Sequence, residues 1–146
     1  MQSGLKPGEQ MIEDYNNLKI KRTEKVWILR IDTIKNSSTH IDEDSLVIEF
    51  RGDTTFQYKD LADLLPKNDP RMIILDFDYE TDEPRKTNKL ILFNWCPVAS
   101  PITKKFKYAS TSGSVASTLG AIQKIMQVSD YSDLEFSKIR ASCLSK

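Results

Sequence analysis

The sequence predicts a single α/β domain with a central mixed β-sheet of five or six strands, flanked by helices on both faces. Three observations carry this. Apolar residues switch repeatedly between helical and strand spacing, in the order helix, two strands, helix, two strands, helix, strand, helix. The strand candidates are short, rich in β-branched residues and partly apolar at consecutive positions, as strands covered on both faces are. Finally, 146 residues with a hydrophobic fraction of 39% and a charged fraction of 29% suit one self-sufficient core. With neither repeat nor linker in view, residues 1–146 are expected to form one domain, residues 1–6 being flexible.

Gly8 to Leu18 places Met11, Ile12, Tyr15 and Leu18 at helical spacing after Pro7, a good first-turn residue, and predicts the first helix. Val26-Trp27-Ile28-Leu29-Arg30-Ile31 and Ser45-Leu46-Val47-Ile48-Glu49-Phe50 predict two paired strands, and the polar stretch Asn36 to Asp44 a turn between them. Tyr58 to Leu65, with Leu61, Leu64 and Leu65 on one face and Pro66 as the stop, predicts a short second helix. Arg71 to Tyr79 and Leu90 to Trp95 then flank a charged connection containing Pro84, and are expected to be the central strands.

From Pro101 onward the pattern is helical. At about 100° per residue, Tyr108, Val115, Leu119 and Ile122 fall on one face, which is expected to dock on the sheet. Ile102 and Phe106 fall opposite, in line with Ser110, Gly113, Ser117 and Gly120, residues too small to cover a core. Lys124-Ile125-Met126-Gln127-Val128 predicts a last strand, and Tyr131 to Leu144 a terminal helix with Leu134, Ile139 and Cys143 turned inward.

Composition excludes several classes of function. Lys plus Arg and Asp plus Glu both total 21, so no excess positive charge points to nucleic acid. No run approaches the roughly 20 apolar residues of a membrane span, and no leader precedes the first helix, so a cytosolic protein is expected. Cys96 and Cys143 stand far apart outside any C-x-x-C pattern, as reduced thiols would. His40 lies in a predicted loop beside Asp42, Glu43 and Asp44, with no nucleophile to serve. Glycine-rich phosphate loops and metal-ligand motifs are missing, so no cofactor is expected. The most enzyme-like feature is Ile73-Ile74-Leu75-Asp76-Phe77-Asp78, an apolar strand running into D-x-D. Aspartyl phosphotransferases carry D-x-D-x-T, whereas Glu80 stands here in the threonine position. Asp76 and Asp78 are therefore expected to face water on one side of the strand.

On the binding side, Lys104-Lys105-Phe106-Lys107 sets three cations around an aromatic that projects away from the predicted core face. An exposed aromatic ringed by charge suits a partner's apolar groove with a polar rim. Cations also stand there at the unfavourable end of a helix, which a purely structural role leaves unexplained.

These residues, read together, resemble a known family. Trp95-Cys96-Pro97 with Pro101, then Lys105-Phe106 and Tyr108-Ala109-Ser110, resembles the actin-depolymerising factor/cofilin pattern W-x-P…K-M-x-Y-A-S. The resemblance extends over Met1-Gln2-Ser3-Gly4, Asn17-Leu18-Lys19, Asp63-Leu64-Leu65, Asp76-Phe77-Asp78-Tyr79 and Asp130-Tyr131-Ser132. It implies the actin-depolymerising factor homology fold and a monomeric protein without enzymatic activity. It further implies binding to actin monomers and filaments with preference for ADP-actin, filament severing and disassembly, and regulation by phosphoinositides and amino-terminal phosphorylation.

Carried over by position, the resemblance implies a monomer-type actin surface of Ser3, Gly4, Ile102, Lys105, Phe106 and Ser112, and a filament-type surface containing Lys86 and Lys89. Lys105 matches the family's basic contact, and Phe106 replaces the methionine that enters the cleft between actin subdomains. Ser3 matches the phosphorylated serine, where about two added negative charges would repel actin's acidic surface. Thr103, Ala116 and Ser117 stand where the family carries basic residues, Thr87 replaces another, and Ala141 and Ser142 replace a charged pair. Actin binding is thus expected to be retained, with severing the more exposed to these losses. A glia-maturation-factor-like binder of the branch-nucleating actin-related complex is the alternative, against which Ser3-Gly4 and the W-C-P segment speak. A third reading, from another class, is an aspartate-dependent phosphatase using Asp76 and Asp78.

Overall fold

The computed structural model describes residues 5–41 and 43–144. Five strands form one sheet in the order β2-β1-β3-β4-β5: β1 Glu24–Ile34, β2 Glu43–Asp53, β3 Arg71–Glu80, β4 Lys86–Trp95 and β5 Lys124–Val128. Neighbours are antiparallel except β4 and β5, which run parallel, so the sheet is mixed as expected. Its centre is β3, with β1 and β4 on either side; β4 is one strand off the centre expected for it.

Alternation along these strands sorts two cores. One face carries Val26, Ile28, Ile73, Leu75, Phe77, Ile91, Phe93 and Trp95, covered by Leu61, Leu65, Leu134, Ile139 and Cys143 from the segments that follow β2 and β5. The other carries Trp27, Leu29, Ile31, Met72, Ile74, Leu90 and Leu92, covered by Met11, Tyr15 and Leu18 and by Tyr108, Val115 and Leu119 of α3, Ile102–Leu119 among the helices. Each fully buried aliphatic side chain contributes roughly 1.5–3 kcal/mol relative to exposure, so both faces stabilise the sheet heavily.

The first predicted helix is two short ones, α1 Glu9–Asp14 and α2 Asn16–Lys19, joined at Tyr15. Tyr15 is pulled into the core, where its hydroxyl donates to the Gly120 carbonyl at 2.8 Å and its ring lies 6.0 Å from that of Trp27. Ile12, expected inward, is exposed. The second predicted helix is a pair of 3-10 turns, Tyr58–Asp60 and Ala62–Leu64. Tyr58 is tied there by its hydroxyl to the Leu134 carbonyl at 2.6 Å, and Pro66 by the Trp95 indole at 2.8 Å, leaving no length for an α-helical ladder.

The terminal helix also begins later than expected. A reciprocal cap between Asp130 and Asp133 closes a 3-10 turn at Tyr131–Leu134, Glu135 is extended, and α4 runs over Phe136–Leu144. Strands β1 and β2 exceed the apolar runs because charged pairs extend them. Arg30 bridges Asp32 and Glu49, and Arg51 bridges Glu24 and Asp14.

Gly52 in β2 sits where a side chain has no room. A Cβ there would lie 2.7 Å from Val26 Cγ1 and 3.2 Å from both Phe50 and Phe56. Gly52→Ala is expected to destabilise the fold by about 1–3 kcal/mol through overpacking. A lowered denaturant midpoint at unchanged slope is the measurement, and an unchanged midpoint would show that Val26 can give way.

Candidate actin-binding site

Helix α3 is amphipathic in the sense the sequence predicts. Tyr108, Val115 and Leu119 are buried, while Ile102 and Phe106 are 67% and 72% exposed on the opposite side. Their spacing of four residues makes them neighbours on one helix face. Val98, in the loop leading into α3, is exposed at 81% and was missed by sequence reasoning. The signal for it was weak, a single valine between Pro97 and Pro101. Gly120 ends the helix with φ +70, a conformation glycine adopts without cost, and Ala121 follows with φ +62. Ile122, expected on the core face of the helix, lies beyond its end and packs on the same core while only half-buried.

The three lysines around Phe106 differ in what they hold. Lys104 Nζ pairs with Asp69 at 2.7 Å, and Lys107 Nζ with Asp44 of β2 at 3.1 Å. Lys105 Nζ donates to the neutral carbonyl of Val98 at 3.0 Å. Among the described residues its charge therefore lacks the acid partner that its two neighbours have, and a partner's acid can meet it without breaking any ion pair seen there.

Of the predicted monomer-type residues, Ile102, Lys105 and Phe106 come together at the start of α3. Ser3 and Gly4 lie outside the described residues. Leu5, which follows them in sequence, donates its N–H to Thr111 Oγ1 at 3.3 Å and packs on the α3 side of the sheet. Ser112 corrects an expectation. It lies four residues after Tyr108, on the buried stripe, is 4% exposed, and its hydroxyl donates to the Ala109 carbonyl at 2.9 Å, so it is not on the surface.

The second predicted surface lies at the β3–β4 hairpin. Lys86 is exposed at the start of β4, opposite Glu80. Lys89 is half-buried and its Nζ donates to the Cys143 carbonyl at 2.9 Å, in the last turn of α4, where a cation offsets the negative end of the helix. Between hairpin and α4 runs a groove of about 1000 Å³ whose walls include Tyr79, Pro84, Lys86, Thr87, Phe136 and Arg140. Arg140 closes one side, donating to the Glu80 carbonyl at 2.8 Å and pairing with Asp82 at 3.1 Å.

The D-x-D strand end is likewise corrected. Asp78 is exposed, but Asp76 is 2% exposed and does not face water. Arg22 Nε reaches Asp76 at 2.8 Å and Asn88 Nδ2 donates to its other oxygen at 2.8 Å, while Arg22 also pairs with Asp78 at 3.2 Å. The hydrogen bond to Asp76 is the leading cause of an Arg22 pKa raised above its ordinary value. Oδ2 of Asp76 thus holds the turn from Ile20 to Thr23 against the sheet through Arg22, while Oδ1 ties β3 to Asn88 of β4. His40 is exposed in the β1–β2 turn with φ +58. Among the described residues, no group of three His, Cys, Asp or Glu is placed to hold a metal ion, and no helix is long and apolar enough to cross a membrane.

Comparison with known proteins agrees with this geometry. The model of the cofilin/tropomyosin-type actin-binding proteins matches residues 4–144. Actin-depolymerizing factor 7 of Arabidopsis thaliana is 30% identical over 142 residues, covering 97% of this chain and 96% of that protein. Cofilin of Yarrowia lipolytica is 29% identical over 138 residues, covering 94% of this chain and 84% of its own length. Among solved structures, actin depolymerization factor 2 of Plasmodium berghei matches the whole of both chains with a TM-score of 0.78 at 21% identity, a likeness of fold. A mixed five-stranded sheet, a helix that turns an aromatic outward among lysines, and a family match over nearly the full chain agree: the protein belongs to the cofilin/tropomyosin-type actin-binding family.

Proposed function

We propose that this chain binds actin monomers and filaments and promotes filament disassembly, with the start of α3 as its primary contact. The observation that carries this is Phe106, a large aromatic 72% exposed on the helix face turned away from the core. A soluble fold gains nothing from such a placement, whereas an apolar cleft on a partner does. Ile102 widens the prong, and Lys105 supplies a cation for the cleft's acidic rim. Ser3 and Gly4 complete the surface from the amino-terminal side, and phosphorylation of Ser3 would weaken it by like-charge repulsion.

A second contact, on the next actin of a filament, uses Lys86 and the groove beside it. Lys89 contributes there through the N–H groups that its bond to the Cys143 carbonyl leaves over. Engaging two actins at once stabilises whichever filament geometry fits both, and this differential affinity is what would twist and break a filament. Thr103, Ala116 and Ser117 near the first contact, and Thr87, Ala141 and Ser142 near the second, lower the positive charge, so severing is weaker than binding. Preference for ADP-actin, contact with phosphoinositides and residence at the cytoplasmic actin cytoskeleton complete the reading.

Cosedimentation with ADP-actin and ATP-actin filaments tests binding and preference together. The protein is expected in the pellet, and more so with ADP-actin; failure to pellet with either form would overturn the proposal. Imaging of labelled filaments tests the second part, since efficient severing well below one protein per actin would contradict weak severing.

A further inference from the structure

The first turn of α3 is built from residues that do not favour it. Pro101 at the N-cap offers no side-chain acceptor, no acid stands in the first turn, and Lys104, Lys105 and Lys107 follow at the end where the helix dipole is already positive. Negative charge comes from outside the helix. Asp69, in the segment ahead of β3, accepts from Lys104 Nζ through Oδ1 at 2.7 Å, and its Oδ2 takes the guanidinium of Arg71.

Arg71 is in turn held on two more sides. It donates to the Pro70 carbonyl at 2.8 Å and through Nε to Glu49 at 3.0 Å. The second Glu49 oxygen accepts from Arg30 at 3.0 Å, and Arg30 is forked onto Asp32 at 2.7 and 2.9 Å. A continuous chain of charges, Asp32, Arg30, Glu49, Arg71, Asp69, Lys104, therefore crosses β1, β2 and β3 and ends on the residue before Lys105. Partial burial works against ionisation of Asp69, but the hydrogen bonds from Lys104 and Arg71 prevail and hold its carboxyl below the usual range.

We infer that Asp69 is a positioning residue for the actin contact: anchored by Arg71, it fixes Lys104 and with it the first turn of α3, and so sets the direction in which Lys105 and Phe106 leave the surface. The inference rests on the actin-binding reading of Phe106. The sign of its effect is opposite to that of a simple surface charge. An acid beside a surface that meets acidic groups weakens the attraction, so its removal alone would tighten binding. A residue that aims Lys105 and Phe106 does the reverse.

The test is Asp69→Asn in the full chain, followed by amide hydrogen exchange and by actin affinity. The N–H groups of Lys104 and Lys105 both bond the Pro101 carbonyl at 3.1 Å and report on the turn directly. Their exchange is expected to quicken about tenfold while the central strand amides of Ile73 and Leu92 keep their rates, as for a local opening. Actin affinity is expected to fall about three- to tenfold, the cost of a loosened contact geometry. Asp69→Glu, which keeps a carboxylate between Arg71 and Lys104, should retain slow exchange, which a general loss of stability from any change at this position would not allow. Unchanged exchange at Lys104 and Lys105 overturns the inference, as does affinity that stays equal or rises. Lys105→Ala and Phe106→Ala serve as the separate check: if both bind actin like the parent chain, the actin reading of this surface fails, and the exchange rates alone decide whether Asp69 holds the turn.

Discussion

Replacing Phe106 with alanine is expected to weaken actin binding by about 2 kcal/mol or more, roughly thirtyfold in Kd, the loss typical of a central aromatic anchor. Stability should hardly change, because the ring is 72% exposed and surface substitutions away from caps and buried pairs stay within about 0.5 kcal/mol. That separation makes the experiment clean. Thermal unfolding of the variant should overlay that of the parent chain, while titration of labelled actin shows the loss. Lys105→Ala is expected to lose less, about 1 kcal/mol, because a rim charge acts in partly solvated surroundings. Phe106→Met, which exchanges a stiff apolar prong for a flexible one, should retain most of the affinity. Parent-like binding by both Phe106→Ala and Lys105→Ala would remove the α3 face from the interface.

How far this site could be read in advance depended on which physical signal each residue carries. The two faces of α3 were legible because 100° per residue is fixed geometry and the apolar content of the faces differs, so the exposure of Ile102 and Phe106 followed from spacing alone. The strands of the core were legible because runs such as Ile73-Ile74-Leu75 have few other uses. Polar residues were legible only when their partners were close in sequence. The burial of Asp76 depends on Arg22 and Asn88, which lie 54 and 12 residues away and reveal themselves only when the sheet brings them together. For the same reason nothing in Lys104-Lys105-Phe106-Lys107 distinguishes Lys105 from its neighbours: Asp69 and Asp44 belong to other elements. Ser112 failed for a different reason. Its family match outweighed the helical phase that places it on the stripe of Tyr108 and Val115, and phase proved the better guide to exposure. Segment ends failed where a single tertiary bond, such as that of the Tyr15 hydroxyl to Gly120, took precedence over helix propensity.

Tyr108 carries the largest stability effect expected at this site, and it separates two roles within one family motif. In Tyr108-Ala109-Ser110 the tyrosine stands two residues from Phe106 but faces the core, 2% exposed. Pairing between β1 and β3 stops at Leu29 opposite Met72, and just beyond it the buried N–H of Ile31 donates to the Tyr108 hydroxyl at 2.9 Å. The side chain thus closes the end of a backbone ladder and anchors α3 to β1. Tyr108→Phe keeps the ring and removes the acceptor, so it is expected to cost about 1–3 kcal/mol, the penalty for a buried donor without a partner. Tyr108→Ala loses the ring as well and should cost about 3–5 kcal/mol, through lost transfer energy and the cavity left behind. Denaturant unfolding of both variants gives the hydroxyl and ring contributions by difference. Near-equal stability of Tyr108→Phe and the parent chain would mean that the Ile31 N–H finds another acceptor. Because Phe106 and Lys105 sit on the turn that Tyr108 anchors, the folded fraction of Tyr108→Phe should bind actin less tightly than the parent, by a smaller factor than Phe106→Ala. Measured below the unfolding transition, that ordering distinguishes a residue that supports the surface from one that makes the contact.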